Sequence, residues 1–266
     1  MTPAKFREIV WKYYRAYGRH DLPWRKTRDP YKILVSEVML QQTQVERVIP
    51  FYAEFMRRFP TARKLADASL STVLKAWQGL GYNRRAKQLR VAAQALIAKK
   101  SHTVEELEAL PGVGPYTAHA VAAFAYNQDV IFVETNIRTA VIHHFFPKKG
   151  KVSDAEIEKI LRQTLPKGKA REWYWALMDY GSHLKKSGIS HNARSAGYGK
   201  QSRFSGSLRE ARGAILRELV SGKFQQGEAL LNLLGTRRRT QTRSALVALL
   251  AEKFVVKKRG GYALAA

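Results

Sequence analysis

Leu110-Pro111-Gly112-Val113-Gly114-Pro115-Tyr116-Thr117-Ala118 is the stretch on which the reading of this chain turns. Its two glycines admit backbone angles that other residues resist, and the apolar spacing behind them predicts a helix over 115–126. A helix start leaves amide N–H groups unpaired and carries the positive end of the helix dipole. A Gly-x-Gly turn leading into one therefore makes an anion pocket suited to a phosphate. A plain helix–turn–helix with a glycine cap would show the same two glycines. The Leu-Pro before them, the Val between them and the helix behind favour the anion-gripping form. Gly112, Val113, Gly114 and Thr117 are the candidate contacts.

The charge balance agrees. Lys and Arg number 47 against 21 Asp and Glu, a formal charge of +26 in 266 residues, and the 45% hydrophobic fraction is enough for an ordinary core. Such an excess opposes compaction and points to a polyanion partner, because each phosphate contact releases condensed counterions. No segment reads as a basic amphipathic membrane helix and no apolar run reaches transmembrane length. The first residues lack a secretory apolar core. A nucleic-acid partner, no membrane and a cytoplasmic, nucleoid-associated location are the expectations. Cysteine is absent, which excludes disulfides, thiolate zinc sites and Cys-ligated iron–sulfur clusters. No metal and no cofactor are expected.

Most of the chain reads as short helices: 4–17, ended by Gly18, then 31–44, 47–58, 61–67, 70–78 and 83–99, punctuated by Asp29-Pro30, Pro50, Pro60 and Gly79/Gly81. The fold class is all-α. From Lys185 to Ser207 large aliphatic residues are scarce and Gly, Ser, Lys and Arg abound, so 185–207 reads as a basic linker. Helical patterns at 208–221, 226–234 and 240–254 then lead into Phe254-Val255-Val256, a basic Gly260-Gly261 turn and Tyr262-Ala263-Leu264. Segment 208–266 is either a small helical cap or a winged helix.

The hairpin motif as a whole reads as helix-hairpin-helix. Ser36-Glu37-Val38-Met39-Leu40-Gln41-Gln42-Thr43-Gln44-Val45 resembles the catalytic segment of the MutY-type adenine DNA glycosylases, and Leu22-Pro23-Trp24-Arg25, Gly79-Leu80-Gly81-Tyr82 and the 110–118 hairpin follow in that family's order and spacing. The resemblance covers residues 1–184. It implies a two-lobed helix-hairpin-helix glycosylase fold, with 26–118 in one lobe and 1–25 plus 119–184 in the other, acting as a monomer on double-stranded DNA.

The chemistry follows from what the bond requires. A base inside a duplex must be extruded before it is cut, and a wedge must fill the gap. By the resemblance Gln42 is that wedge, and Thr43, Leu80 and Tyr82 pack around the base left behind. Cleaving the N-glycosidic bond leaves negative charge on the base, so an acid that protonates a purine at N7 improves the leaving group. Glu37 is the candidate, and it needs surroundings that raise its pKa. Tyr116 stands where bifunctional relatives such as endonuclease III carry a Schiff-base lysine, which implies a monofunctional enzyme. Trp24, Arg25 and Leu40 match base-pocket positions.

The chain also departs from the family. In Val133-Glu134-Thr135-Asn136, Glu134 replaces the aspartate that steadies the oxocarbenium-like sugar, adding a methylene where ~1 Å matters; Asn136 is retained. Trp175 replaces a Glu or Gln that reads the adenine edge. Where iron–sulfur ligands usually follow, this chain has Lys185, Lys186, Arg194, Lys200 and Arg203, which offer basic DNA contacts in their place. The oxidised-guanine recognition domain of the family is not matched by 208–266. Three readings stay open at this point. One is an adenine glycosylase acting opposite guanine or 8-oxoguanine. Another is a mismatch thymine or uracil glycosylase. The last is a DNA-binding relative disabled by Glu134.

Overall fold

In the computed structural model, residues 1–98, 103–196, 203–220, 224–258 and 260–265 are described. Lys200 and Arg259, which the sequence reading had placed among the basic contacts, lie outside them. The chain forms two compact units, one of Met1–Gln41 with Lys99–Lys200 and one of Gln42–Ala98 with Gln201–Ala266.

The first unit is built around an alanine-rich helix. Helices α1 (Pro3–Tyr17) and α2 (Pro30–Leu40) belong to it. So do α7 (Val104–Glu108), α8 (Pro115–Tyr126), α9 (Thr135–Phe145), α10 (Asp154–Thr164) and α11 (Ala170–Lys186). Eight residues of α8 are buried, from Thr117 and Ala118 through the run Ala120–Ala125. Such small side chains let neighbours pack closely on every face. Helix α2 packs on α8 and is itself buried at Tyr31 and from Ile33 to Met39, which places Ser36 and Glu37 in the core. Local chemistry sets the starts. Asp29 accepts the Tyr31 amide at 2.9 Å ahead of Pro30, and Ser153 with Glu156 forms a capping box on α10.

The second unit holds α3 (Val45–Arg58), α4 (Ala62–Asp67), α5 (Leu70–Trp77) and α6 (Arg84–Ala98). Phe55 and Trp77, both fully buried, meet edge-on at 5.8 Å in its core. It also holds α12 (Leu208–Val220), β1 (Gln225–Gln226), α13 (Gly227–Asn232), α14 (Arg239–Ala251), β2 (Val255–Lys258) and β3 (Gly261–Leu264). The strands form an antiparallel sheet in the order β1-β3-β2, with Gln225 opposite Tyr262 and Val255 opposite Leu264. Helix, strand, two helices and a hairpin in that order make the winged form; the short strand β1 distinguishes it from a helical cap.

Three expectations change. The helix expected over 31–44 stops at Leu40, because Gln41 turns to extended ψ and Gln42 sits in the left-handed region at φ 56°. The lobe limits also differ. Helix α2 groups with α8 through their packing, so the division falls after Gln41 rather than Arg25, and 208–266 groups with 42–98 instead of standing alone. Finally, 185–207 is not a uniform linker. Val152 and Ser195 form a parallel bridge, with the Val152 amide on the Arg194 carbonyl at 2.9 Å, and the Arg194 guanidinium donates to the Phe146 and Lys149 carbonyls. Arg194 therefore anchors this segment to the end of α9. Among the described residues, no helix is long and apolar enough to cross a membrane.

Candidate active site

The first unit brings Glu37, Tyr116, Glu134 and Asn136 into one electrostatic group. Glu37 is 5% exposed on α2. Tyr116, in the first turn of α8, donates its hydroxyl to Glu37 Oε2 at 3.0 Å. Burial pushes the Glu37 carboxyl up to about 7; the Tyr116 hydrogen bond and the Arg25 charge pull it down, and the Glu134 charge pushes it further up. Burial and the neighbouring carboxylates raise the Tyr116 phenol well above its ordinary value, so it stays a donor. Its ring meets Phe132 edge-on at 5.7 Å, and Phe132 stacks on Tyr174 at 4.0 Å. These rings form the apolar wall that desolvates the acid.

Glu134 caps α9. Its Oε1 accepts the amides of Asn136 at 2.7 Å and Ile137 at 2.9 Å, and Asn136 Nδ2 donates to its Oε2 at 3.2 Å. The extra methylene is thus absorbed by wrapping the carboxylate onto its own helix start. Close approach of α11 supports this turn: a Cβ on Gly181 would lie 2.0 Å from the Asn136 carbonyl oxygen. Lys185, half-buried at the end of α11, has its amine lowered by burial and held up by the Glu134 charge; Lys186 is exposed.

Arg25 is turned to a different task from base reading. Its guanidinium donates to both Asp179 oxygens at 2.7 and 2.9 Å, with the side chains 4% and 1% exposed. Arg19 also binds Asp179, at 2.6 Å. Burial would raise the Asp179 carboxyl, but the Arg25 hydrogen bonds and the two guanidinium charges outweigh it and hold it below its usual value. Arg25 lies 5.4 Å from the Trp175 ring, which stacks against Phe124 at 5.9 Å, while Arg25 Nε is buried without a hydrogen-bond partner. Trp24 is buried, and Leu40 and Trp175 keep partial exposure. Local patterning could not find Asp179 as the partner of Arg25, because the two are 154 residues apart.

At the hairpin, Gly112 is left-handed at φ 78°, whereas Gly114 is extended at φ −95°. Gly114 therefore needs no special backbone angle. A Cβ there would meet nothing within 4 Å, and no side chain caps the helix start behind it, which leaves room for a ligand at the first-turn amides. Val113 and Thr117 are buried, and Gln41 donates to the Thr117 hydroxyl at 3.3 Å. Both support the turn from inside, in contrast to the outward contacts expected of them.

In the second unit Gln42, Thr43, Leu80 and Tyr82 line one pocket. Gln42 and Tyr82 are held at φ 56° and 47°, conformations that cost roughly 1–3 kcal/mol each for such residues. The 79–82 loop is pinned through its carbonyls: Arg47 on Gly79, Arg85 on Leu80 at 3.2 Å, and the Trp77 indole on Gly81 at 3.0 Å. Sequence reasoning missed Arg85, Phe204 and Arg209, which also belong to this region. Among the described residues, no group of three or more His, Asp or Glu is placed to hold a metal ion.

The comparisons with known proteins follow this geometry. An adenine DNA glycosylase of Mycobacterium tuberculosis is 36% identical over 282 residues, covering 95% of this chain and 90% of that protein. An adenine DNA glycosylase of Buchnera aphidicola subsp. Baizongia pistaciae is 35% identical over 190 residues, and the match spans 68% of this chain and 53% of that relative's length. The solved structure of a thermostable thymine-DNA glycosylase matches with a TM-score of 0.57 at 26% identity, over 67% of this chain and 87% of that one. The all-α frame, the Gly-rich hairpin and the buried acid beside it are those of a DNA N-glycosylase. The chain belongs to the HhH-GPD superfamily of base excision DNA repair proteins, whose family model matches residues 35–167.

Proposed function

We propose that the protein is a monofunctional glycosylase that hydrolyses the N-glycosidic bond of an adenine swung out of duplex DNA opposite guanine or 8-oxoguanine. The observation that carries this reading is Glu37, a buried carboxyl raised to about 7 and hydrogen-bonded by Tyr116. An acid of that strength is protonated often enough near neutrality to donate, yet loses its proton readily. Protonated Glu37 gives its proton to N7 of the purine, and the base departs neutral. The resulting carboxylate then draws a proton from the attacking water. Glu134, ionised at the start of α9 and steadied by Asn136, balances the positive charge on the sugar. Tyr116 offers no amine for a Schiff base, so the product is an abasic site in an intact strand. Gln42 fills the gap left by the extruded nucleotide, and the chain works as a monomer on nucleoid DNA without a metal or cluster.

One observation favours a second reading. Trp175 stands where an adenine-reading hydrogen-bond acceptor is expected, and an indole selects by stacking rather than by edge recognition. Thymine or uracil opposite guanine is then the alternative target. A single-turnover panel on duplexes carrying A, T or U opposite G or 8-oxoguanine decides between them. The adenine reading requires release of adenine at least about tenfold faster than of either pyrimidine. Faster release of thymine or uracil, or of nothing, rejects it.

A further inference from the structure

The pocket in the second unit has two sources in the sequence. It encloses about 540 Å³, lined from the earlier segment by Gln42, Thr43 and Tyr82 and from the C-terminal segment by Phe204, Arg209 and Leu216. Arg209 lies 5.1 Å from the centre of the Tyr82 ring and donates to the Tyr82 hydroxyl. Phe204 is 55% exposed, a large aromatic left at the pocket. Strain is concentrated here too, with Gly79, Gly81, Gln42 and Tyr82 all at positive φ.

The size is that of a small-ligand pocket, and the residue types are selective. A phosphate needs cations and amides but gains nothing from aromatic faces and a leucine. A flat base needs what is present: rings to stack on, a guanidinium able to bond two acceptors at once, and a carboxamide that both donates and accepts. Guanine-type purines present two adjacent acceptors, O6 and N7, to such a guanidinium.

We propose that the C-terminal winged segment completes a pocket for the nucleobase on the strand opposite the excised nucleotide, and that Arg209 is the side chain that selects a guanine-type purine there. This rests on the glycosylase reading above, but the experiment does not depend on excision. The full-length protein, Arg209→Ala, Arg209→Lys and Phe204→Ala are titrated by fluorescence anisotropy. The probes are duplexes in which a tetrahydrofuran abasic analogue faces G, 8-oxoguanine, C or T. The unaltered protein is expected to bind the two purine-facing duplexes at least ~10-fold more tightly than the pyrimidine-facing ones. Arg209→Ala and Arg209→Lys both erase that preference while binding to the pyrimidine-facing duplexes stays within about threefold; the lysine variant keeps the charge but not the paired donors. Phe204→Ala, which removes an exposed ring, weakens the purine-facing duplexes by roughly fivefold or more. An equal loss on all four duplexes would make Arg209 a phosphate contact and overturn the proposal, as would an unchanged preference or its absence from the unaltered protein. If the protein released no adenine but these binding results held, the adenine reading alone would fall.

Discussion

Replacing Glu37 by glutamine should make the protein more stable above neutral pH, although it removes the central acid. The ordinary glutamate value is 4.5 and that of buried Glu37 is about 7. The folded state therefore holds this proton more tightly than the unfolded chain. Below the unfolded value both states are protonated and nothing is lost. As pH rises toward 7, the unfolded chain ionises freely while the folded protein resists, and the penalty grows. Above 7 the folded protein carries a desolvated charge at full cost, about 3 kcal/mol at 1.36 kcal/mol per pKa unit. A glutamine of the same shape never ionises. In thermal melts of the two proteins at about pH 5 and about pH 8.5, the difference cancels every shared titration. The Glu37→Gln variant should match the parent within roughly 1 kcal/mol in acid and exceed it by about 3 kcal/mol in base, a midpoint gain of several degrees. If its advantage failed to grow with pH, Glu37 would not be a raised carboxyl and the acid mechanism would lose its physical basis.

Other positions give separate checks. Glu134→Gln removes a charge that raises Glu37, so the alkaline limb of the rate profile should move to lower pH, with roughly 1 kcal/mol lost from the weakened cap in a denaturation series. Gly181→Ala forces a Cβ onto the Asn136 carbonyl; the expected cost is ~1–3 kcal/mol by thermal denaturation, and single-turnover excision should fall at least about tenfold as the start of α9 shifts. Asp179→Asn leaves the Arg25 guanidinium buried without its counter-charge and should destabilise the protein by about 3–5 kcal/mol in urea melts.

Local chemistry made much of this molecule legible. The Pro115 start and the alanine run behind it define α8 as the residues alone suggest, and the ten residues from Ser36 identify the acid before any coordinates. What could not be read depends on distant partners. Helix α2 ends early at a left-handed Gln42, where no glycine or proline signals a stop, and Gln41 is held by Thr117 from another helix. Arg25 looks like a pocket residue until Asp179, far along the chain, is placed against it. Glu134 looks one methylene too long until its carboxylate folds back onto α9. The basic stretch after Lys185 has the composition of a linker, yet Arg194 spends its donors on backbone carbonyls. Strand β1, the dipeptide Gln225–Gln226, has no strand pattern of its own and exists because β3 pairs with it.

The rate constant for single-turnover adenine release, followed from roughly pH 5.5 to pH 9, bears most directly on Glu37. The profile should be level on the acid side, bend near 7, and then fall about tenfold per unit as the donor ionises, with Glu37→Gln inert throughout. A rate that stays level into the alkaline range, or a glutamine variant that still excises at near-normal speed, would contradict the assignment of Glu37 as proton donor.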